Sequence, residues 1–275
     1  AVVMLTDLMD RLGLDANEVG WLIGWVMECY EKGILSKKQL DGLDMTWGNV
    51  EAVKEMLLRI SRKEGFGEVL AEGVKRASEQ IGGEAVNLGV YTMKGATPRG
   101  HDHRSRWVEI LDTCVSGTST IEATHAGVPT ERFGWPPVGI TFSPWEVAIV
   151  NAHLNGWFIF LDSLVICVFC ATDPELVTAN LNAVTGWDLT PEDAITTGKR
   201  IVNLLRLFNM EHGLDIETEA PSPRYGSTPT DGPAEGLSIM THWKWIVQSY
   251  YEAMGWDKQT GKPHSHTLKR LGLIK

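Results

Sequence analysis

The chain has 275 residues, 43% hydrophobic and 22% charged, enough to bury a sizeable core as one large or two modest domains. A net charge of −10, with Lys and Arg scattered rather than striped, argues against a nucleic-acid partner. The longest apolar stretch, Trp145 to Cys170, is broken by Glu146, Asn151, His153, Asn155 and Asp162, which argues against a membrane span, and four cysteines without a secretory signal point to reduced thiols in the cytoplasm.

In chain order, the opening AVVMLTDLMD reads as helix interior. The first residue is Ala rather than Met, so the sequence reads as a fragment or a cleaved chain. Asp15 caps a helix whose Val19, Leu22, Ile23, Val26, Met27 and Tyr30 share a face, and Gly33 stops it. A second helix is expected over Asn49 to Lys63 and a third from about Gly67 to Ile81. Val86 to Met93 and Val138 to Phe142 carry short strand signals. Gly and Pro interrupt the pattern between Gly127 and Pro144, and a domain boundary is expected there.

The second half marks its helix starts more clearly. Ser143-Pro144-Trp145-Glu146 and Thr190-Pro191-Glu192-Asp193 each offer a hydroxyl cap, a first-turn proline and an acid at the third helical position, and Asp173-Pro174-Glu175 begins another helix. Trp145 to Cys170 is expected to be a buried helix with a polar face. Glu219 to Gly236, rich in Pro, Gly, Ser and Thr, is expected to be an extended surface segment before a last helix over Leu237 to Met254. The expectation is a mainly α, multihelical chain of two helical domains, 1–135 and 136–275. Its eleven tryptophans are expected partly to line interfaces or a cleft.

Two hexads share one plan: Asp10-Arg11-Leu12-Gly13-Leu14-Asp15 and Asp162-Ser163-Leu164-Val165-Ile166-Cys167. Each opens on an acid, passes over small and apolar residues, and closes on a group able to cap a helix or bind metal. The opening carboxylate can accept paired N–H donors from a flat, guanidine-like edge such as a pterin ring, and Gly13 lets backbone come close to such a ligand. Cys167 is a soft donor suited to an iron–sulfur cluster. Read as a pair they suggest a ligand held from two sides; read singly, they are a turn and an ordinary N-cap.

Three further constellations can carry chemistry. Cys167-Val168-Phe169-Cys170 is compatible with zinc, a redox dithiol or part of a cluster site; zinc lacks a second cysteine pair, a thioredoxin-like site lacks its preceding strand, and two buried core thiols are the plain alternative. Pro98-Arg99-Gly100-His101-Asp102-His103-Arg104 sets two histidines around an aspartate, which suits metal binding, a proton relay or a solvated loop. Glu122-Ala123-Thr124-His125 offers another histidine, in competition with His153.

Around these motifs, Asp10 to Gly33, Arg62 to Gly73, Asp162 to Gly186 and Trp187 to Gly213 resemble the aldehyde:ferredoxin oxidoreductase family, over nearly the whole chain but only its two helical domains. The family's N-terminal domain has no counterpart here. The resemblance implies a tungsten (or molybdenum) bis-pyranopterin and a 4Fe–4S cluster, assembled only with that missing domain, and two-electron oxidation of aldehydes to acids with ferredoxin as acceptor. Asp10, Gly13, Leu14, Asp15, Asp162 and Arg99 would contact the pterins and Cys167 would be the fourth cluster ligand. His125, His101 and His103 would serve proton transfer or face substrate, and Arg99 and Arg104 would offer positive charge to anionic groups.

The extended His-Asp-His-Arg segment resembles the tungsten catalytic subunit of class II benzoyl-coenzyme A reductases, which implies an aryl-coenzyme A substrate as the alternative. Partners implied are the N-terminal domain, in the same or a separate chain, a ferredoxin or iron–sulfur subunit, and a second copy of the chain. The family usually has Gly-Leu where this chain has Val165-Ile166, and loss of that glycine is expected to move the backbone away from the pterin and weaken Asp162 as an anchor. The rivals from other classes are a non-catalytic helical interaction module, in which hexads are caps and cysteines core, and a zinc-binding helical domain.

Overall fold

Helices begin here where a side chain can take the orphan N–H groups of a first turn. The computed structural model describes residues 1–118, 122–123, 141–171 and 173–275. α1 (Val2–Leu12) ends at Gly13, and α2 (Ala16–Glu31) is capped by Asp15, whose carboxylate accepts the Glu18 N–H. α3 (Val50–Arg62) is capped by the Asn49 side chain. The expected helix from Gly67 to Ile81 is two, α4 (Phe66–Leu70) and α5 (Gly73–Ile81), because Gly73, at the start of α5, takes a left-handed φ of 83°. The expected strand at Val86 to Met93 is corrected: it opens with helix α6 (Glu84–Leu88) and ends in a single bridge, Thr92 to Pro221.

These elements and Ala220–Ser227 form one compact unit with Ala1–His101. Its core is built by Val19, Leu22, Trp25 and Val26 of α2 with Val53, Met56 and Leu57 of α3 and Val74 and Ala77 of α5. The returning segment is tied in by Ser222, whose N–H donates to Tyr91 O (2.8 Å) and whose Oγ donates to Gly89 O (2.7 Å).

The second unit comprises Asp102–Glu219 and Thr228–Lys275. Its helices are α7 (Trp107–Val115), α8 (Pro144–Leu154), α9 (Trp157–Ser163), α10 (Pro174–Thr185), α11 (Pro191–Glu211), α12 (Trp243–Met254) and α13 (Ser265–Arg270). Ser143 and Asp173 cap α8 and α10 as their sequences predict, and Thr190 and Asp193 close a reciprocal capping box on α11. The expected continuous helix over Trp145 to Cys170 is broken, since Gly156 adopts φ 101° and starts α9 afresh. The last helix begins at Trp243 rather than Leu237, after a 3-10 turn at Ile239–Thr241. The mainly α expectation holds: every regular element among the described residues is helical. The expected boundary at residue 135 and most of the second strand signal lie outside the described residues.

Candidate functional site

The two hexads fold into the same kind of corner. In the first, α1 closes with the Gly13 N–H on Asp10 O (3.1 Å) and the Leu14 N–H on Met9 O (3.0 Å), with Gly13 left-handed at φ 68°. In the second, α9 closes with the Val165 N–H on Asp162 O (3.0 Å) and the Ile166 N–H on Leu161 O (3.2 Å), with Val165 left-handed at φ 59°. Both are paired helix-terminating turns of the Schellman type. The sixth residue in each is extended and occupies the N-cap position of the next helical element: Asp15 (φ −67°, ψ 118°) precedes α2 and caps it through its side chain, and Cys167 (φ −64°, ψ 128°) precedes the 3-10 turn Val168–Cys170 without a side-chain cap bond.

Although Val165 stands where the family usually has glycine, the corner keeps a left-handed residue with a β-branched side chain, a conformation costing roughly 1–2 kcal/mol for an L-residue. Val165 is 93% exposed, so no packing of its side chain within the chain offsets that cost. Val165→Gly is therefore expected to raise stability by about 1 kcal/mol in urea unfolding, reversing the usual effect of introducing glycine. A loss of stability would show that the corner gains from the valine.

The corners present similar chemistry. Asp10 and Asp162 are both exposed at their helix ends, and partial burial raises the Asp162 carboxyl above the ordinary range. Leu14 packs against the first unit's core, holding the turn down. Cys167 and Cys170 are exposed free thiols, whereas Cys29 and Cys114 are buried. Next to the second corner lies a cleft of about 380 Å³ lined by Leu164, Ile166, Cys170, Leu176, Val177 and Val184.

Within the first unit, the Pro-Arg-Gly segment is brought to the helix that Asp15 starts. Trp21 Nε1 donates to Pro98 O (2.7 Å), and Thr97 Oγ1 donates to Glu18 Oε2 (2.8 Å). The other Glu18 oxygen takes the Val74 N–H (2.7 Å), so one carboxylate fixes α2, α5 and the approach to Arg99 together. Arg99 is half-buried and His101 exposed at the end of this unit.

The histidine pair is not a matched one. His103 is fully buried, its Nε2 3.3 Å from Glu109 Oε2, within ion-pair reach but off the line of a hydrogen bond. The other Glu109 oxygen pairs with Arg106 (3.1 Å). Arg104 is engaged by Asp102 through two charge-assisted bonds (Nε to Oδ1 2.9 Å, Nη2 to Oδ2 2.7 Å), which hold the Asp102 carboxyl below the usual carboxylate range. His125 lies outside the described residues. His153 is exposed; partial burial, then the charge of Lys199, pushes its imidazole down.

Sequence reasoning noted Asp112 and Glu122 beside the candidate histidines but did not foresee that they are buried and share one hydrogen-bond network. Asp112 accepts the N–H groups of Glu122 (3.1 Å) and Ala123 (3.0 Å). Glu122 in turn accepts those of Gly117 (2.7 Å) and Thr118 (3.2 Å) and faces Asn155 Nδ2 (3.4 Å). Asn155 also donates to Tyr250 Oη (3.1 Å), whose burial raises it well above its ordinary pKa. The available signal was an acid in a largely apolar run, Asp112 among Ile110, Leu111, Cys114 and Val115.

Residues 1–273 match the family described as aldehyde ferredoxin oxidoreductase, domains 2 and 3. The chain is 29% identical over 282 residues to a tungsten-containing aldehyde ferredoxin oxidoreductase of Pyrococcus furiosus, covering 99% of this chain and 45% of that protein. It is 32% identical to the WOR-like subunit of an aliphatic sulfonate oxidoreductase of the same organism, covering 99% and 42%. Its fold is similar to a chain of the active-site complex BamBC of benzoyl coenzyme A reductase in complex with 1,5-dienoyl-CoA (TM-score 0.72, 22% identity, 94% of this chain and 44% of that one). The chain thus spans less than half the length of these relatives. No helix among the described residues is long and apolar enough to cross a membrane.

Proposed function

This chain belongs to the aldehyde ferredoxin oxidoreductase family, as its domains 2 and 3, and from that premise we propose that it is the helical part of a tungsten (or molybdenum) bis-pyranopterin, 4Fe–4S oxidoreductase. The reaction proposed for the whole protein is two-electron oxidation of an aldehyde to its acid, with ferredoxin or an iron–sulfur subunit as acceptor, in an anaerobic cytoplasm. The observation that carries the reading is the repeated corner: two helix ends of one backbone geometry, each with an exposed acid first, the second closing on an exposed cysteine.

The donors suit the implied groups. Asp10 has no side-chain partner among the described residues, so its carboxylate is available to a planar N–H edge. Asp15 spends one oxygen on the Glu18 N–H (2.7 Å) and keeps the other. Cys167 offers a free thiol, and Arg99 a cation beside the helix Asp15 starts. Among the described residues no three His, Cys, Asp or Glu side chains gather around one point, so the remaining cluster ligands would come from the N-terminal domain, in the same chain or another.

When bound, such a group supplies two-electron exchange with substrate and single-electron transfer onward. The chain's own residues would orient it: Asp10 and Asp162 by accepting hydrogen bonds, Gly13 by admitting close approach, Cys167 by ligation. His101 and His125 would move protons. His103, held against Glu109 in the interior, would instead fix the loop that carries His101. The His-Asp-His-Arg segment favours a second reading, reduction of an aryl-coenzyme A, in which Arg99 would meet anionic groups of the substrate.

The test is metal and iron analysis with a visible spectrum, on this chain alone and on the chain produced anaerobically with a family N-terminal domain. The expected result is tungsten, about four irons and broad visible absorption in the second sample only, with the iron lost in Cys167→Ser. No metal in either sample would favour a helical interaction module, with both hexads reduced to caps.

A further inference from the structure

We propose that Cys167 and Cys170 are a vicinal dithiol that closes reversibly to a disulfide, a modification distinct from the ligand role proposed for Cys167. The backbone sets the pair up. Cys170 N–H donates to Cys167 O at 2.9 Å, a one-turn i to i+3 bond. Such a turn holds its end Cα atoms less than about 7 Å apart, a limit close to the top of the roughly 4.4–6.8 Å span that a disulfide bridges without moving the chain.

Direction agrees with distance. Cys167 is the N-cap of the turn and Cys170 its third residue. Side chains three residues apart on a 3-10 turn lie over one another. The same N-cap to third-residue spacing brings side chains together at Thr190 and Asp193 of α11, where Oγ1 and Oδ2 meet at 2.6 Å. Both thiols are accessible, Cys170 opening on the cleft beside Leu164 and Ile166. Competing thiols are shut away: Cys29 and Cys114 are both 0% exposed, and burial pushes Cys29 up to about 12.

The oxidant is a small disulfide such as oxidised glutathione. One cysteine sulfur attacks it, its S–S bond breaks, a mixed disulfide forms and one small thiol leaves; the second cysteine then attacks the mixed disulfide and releases the other. Two cysteine thiols become one disulfide, the small disulfide becomes two thiols, and the two protons go with them. The dithiol chemistry stands without the proposed function. Its consequence rests on that reading: a Cys167 held in a disulfide cannot ligate a cluster, so oxidation would block cluster loading until reduction reopens the site.

The experiment treats the reduced 275-residue chain, free of iron, with excess oxidised glutathione, then quenches, unfolds and counts thiols. Four cysteines are present, so the expected result is a fall from four titratable thiols to two, with loss of two hydrogens in the mass, a Cys167–Cys170 peptide link and no glutathione adduct. Cys170→Ser, with three cysteines, is expected to fall to two titratable thiols, the third held as a glutathione adduct on Cys167. Four remaining thiols, stable adducts on the unsubstituted chain, or dimers linked between chains would overturn the proposal. Iron reconstitution with the N-terminal domain separates the two readings. Cys170→Ser should load iron after oxidant exposure and reduction as the parent does, and Cys167→Ser should not; a protein that never takes iron but forms the disulfide sinks the proposed function and leaves the dithiol.

Discussion

Gly198→Ala is expected to destabilise this chain by about 3 kcal/mol or more, although alanine is the better helix former by about 1 kcal/mol. A Cβ at Gly198 of α11 would run into the carbonyl oxygen of Gly156 and lie 2.5 Å from its carbonyl carbon. Gly156 is equally confined, because its own Cβ would sit 2.6 Å from the Lys199 nitrogen and its φ of 101° disfavours any side chain. These obstacles are backbone on both sides, so relief requires α9 and α11 to separate. They are also sealed together by Trp157, Phe158, Phe160 and Leu161 against Ala194 and Ile195. Urea unfolding should show the loss, with Gly24→Ala in α2 as the control. Its Cβ meets nothing within 4 Å, and about 0.5–1 kcal/mol should be gained there. A Gly198→Ala chain within 1 kcal/mol of the parent would refute the close approach. Because α9 ends in Asp162 and the second corner, the same substitution is expected to disturb the turn that presents Cys167.

The sequence was most legible where a side chain acts on its own backbone. Asp15, Asn49, Ser143, Asp173 and Thr190 announce helix starts because a cap needs only the next three residues. The likeness of the hexads was legible for the same reason, since the two turns are closed by local N–H groups. What could not be read was Val165. Glycine predicts a left-handed residue, but its replacement does not abolish one when the surrounding chain demands it.

Errors fell where tertiary contacts overrode local preference. Val86 to Met93 is rich in strand formers, yet its start is held in a helical turn after Gly82-Gly83, and Tyr91 and Thr92 meet Ser222 and Pro221 from far along the chain. His101 and His103 looked equivalent two residues apart, and only the fold separates an exposed ring from one buried against Glu109. The burial of Asp112 and Glu122 was not foreseen because buried acids are recognised by the N–H groups they collect, which sequence spacing does not display.

Arg206 is a further group that sequence did not single out, and its removal carries the other large expected effect: Arg206→Met should destabilise by about 3–5 kcal/mol. Arg206 is 1% exposed, an expensive position for a charge unless it is paired and bonded. Nη1 meets Glu219 Oε1 at 2.6 Å and Nε donates to Gly261 O at 3.0 Å. Its Cζ lies 5.1 Å from the Tyr251 ring centre and 4.7 Å from that of Trp256. The second Glu219 oxygen takes the Tyr251 hydroxyl, and the Glu219 carbonyl takes Trp243 Nε1 (3.2 Å). One cation thereby joins α11, the segment leaving it, α12 and the turn at Gly261. Methionine fills similar space but strands the Glu219 carboxylate in the interior, and that stranded charge, more than the lost attraction, sets the size of the effect. The double replacement Arg206→Met with Glu219→Gln should therefore recover a large part of the loss in denaturant unfolding. A double variant no more stable than Arg206→Met alone would mean that ring stacking and the Gly261 bond, rather than the buried charge, carry the contribution.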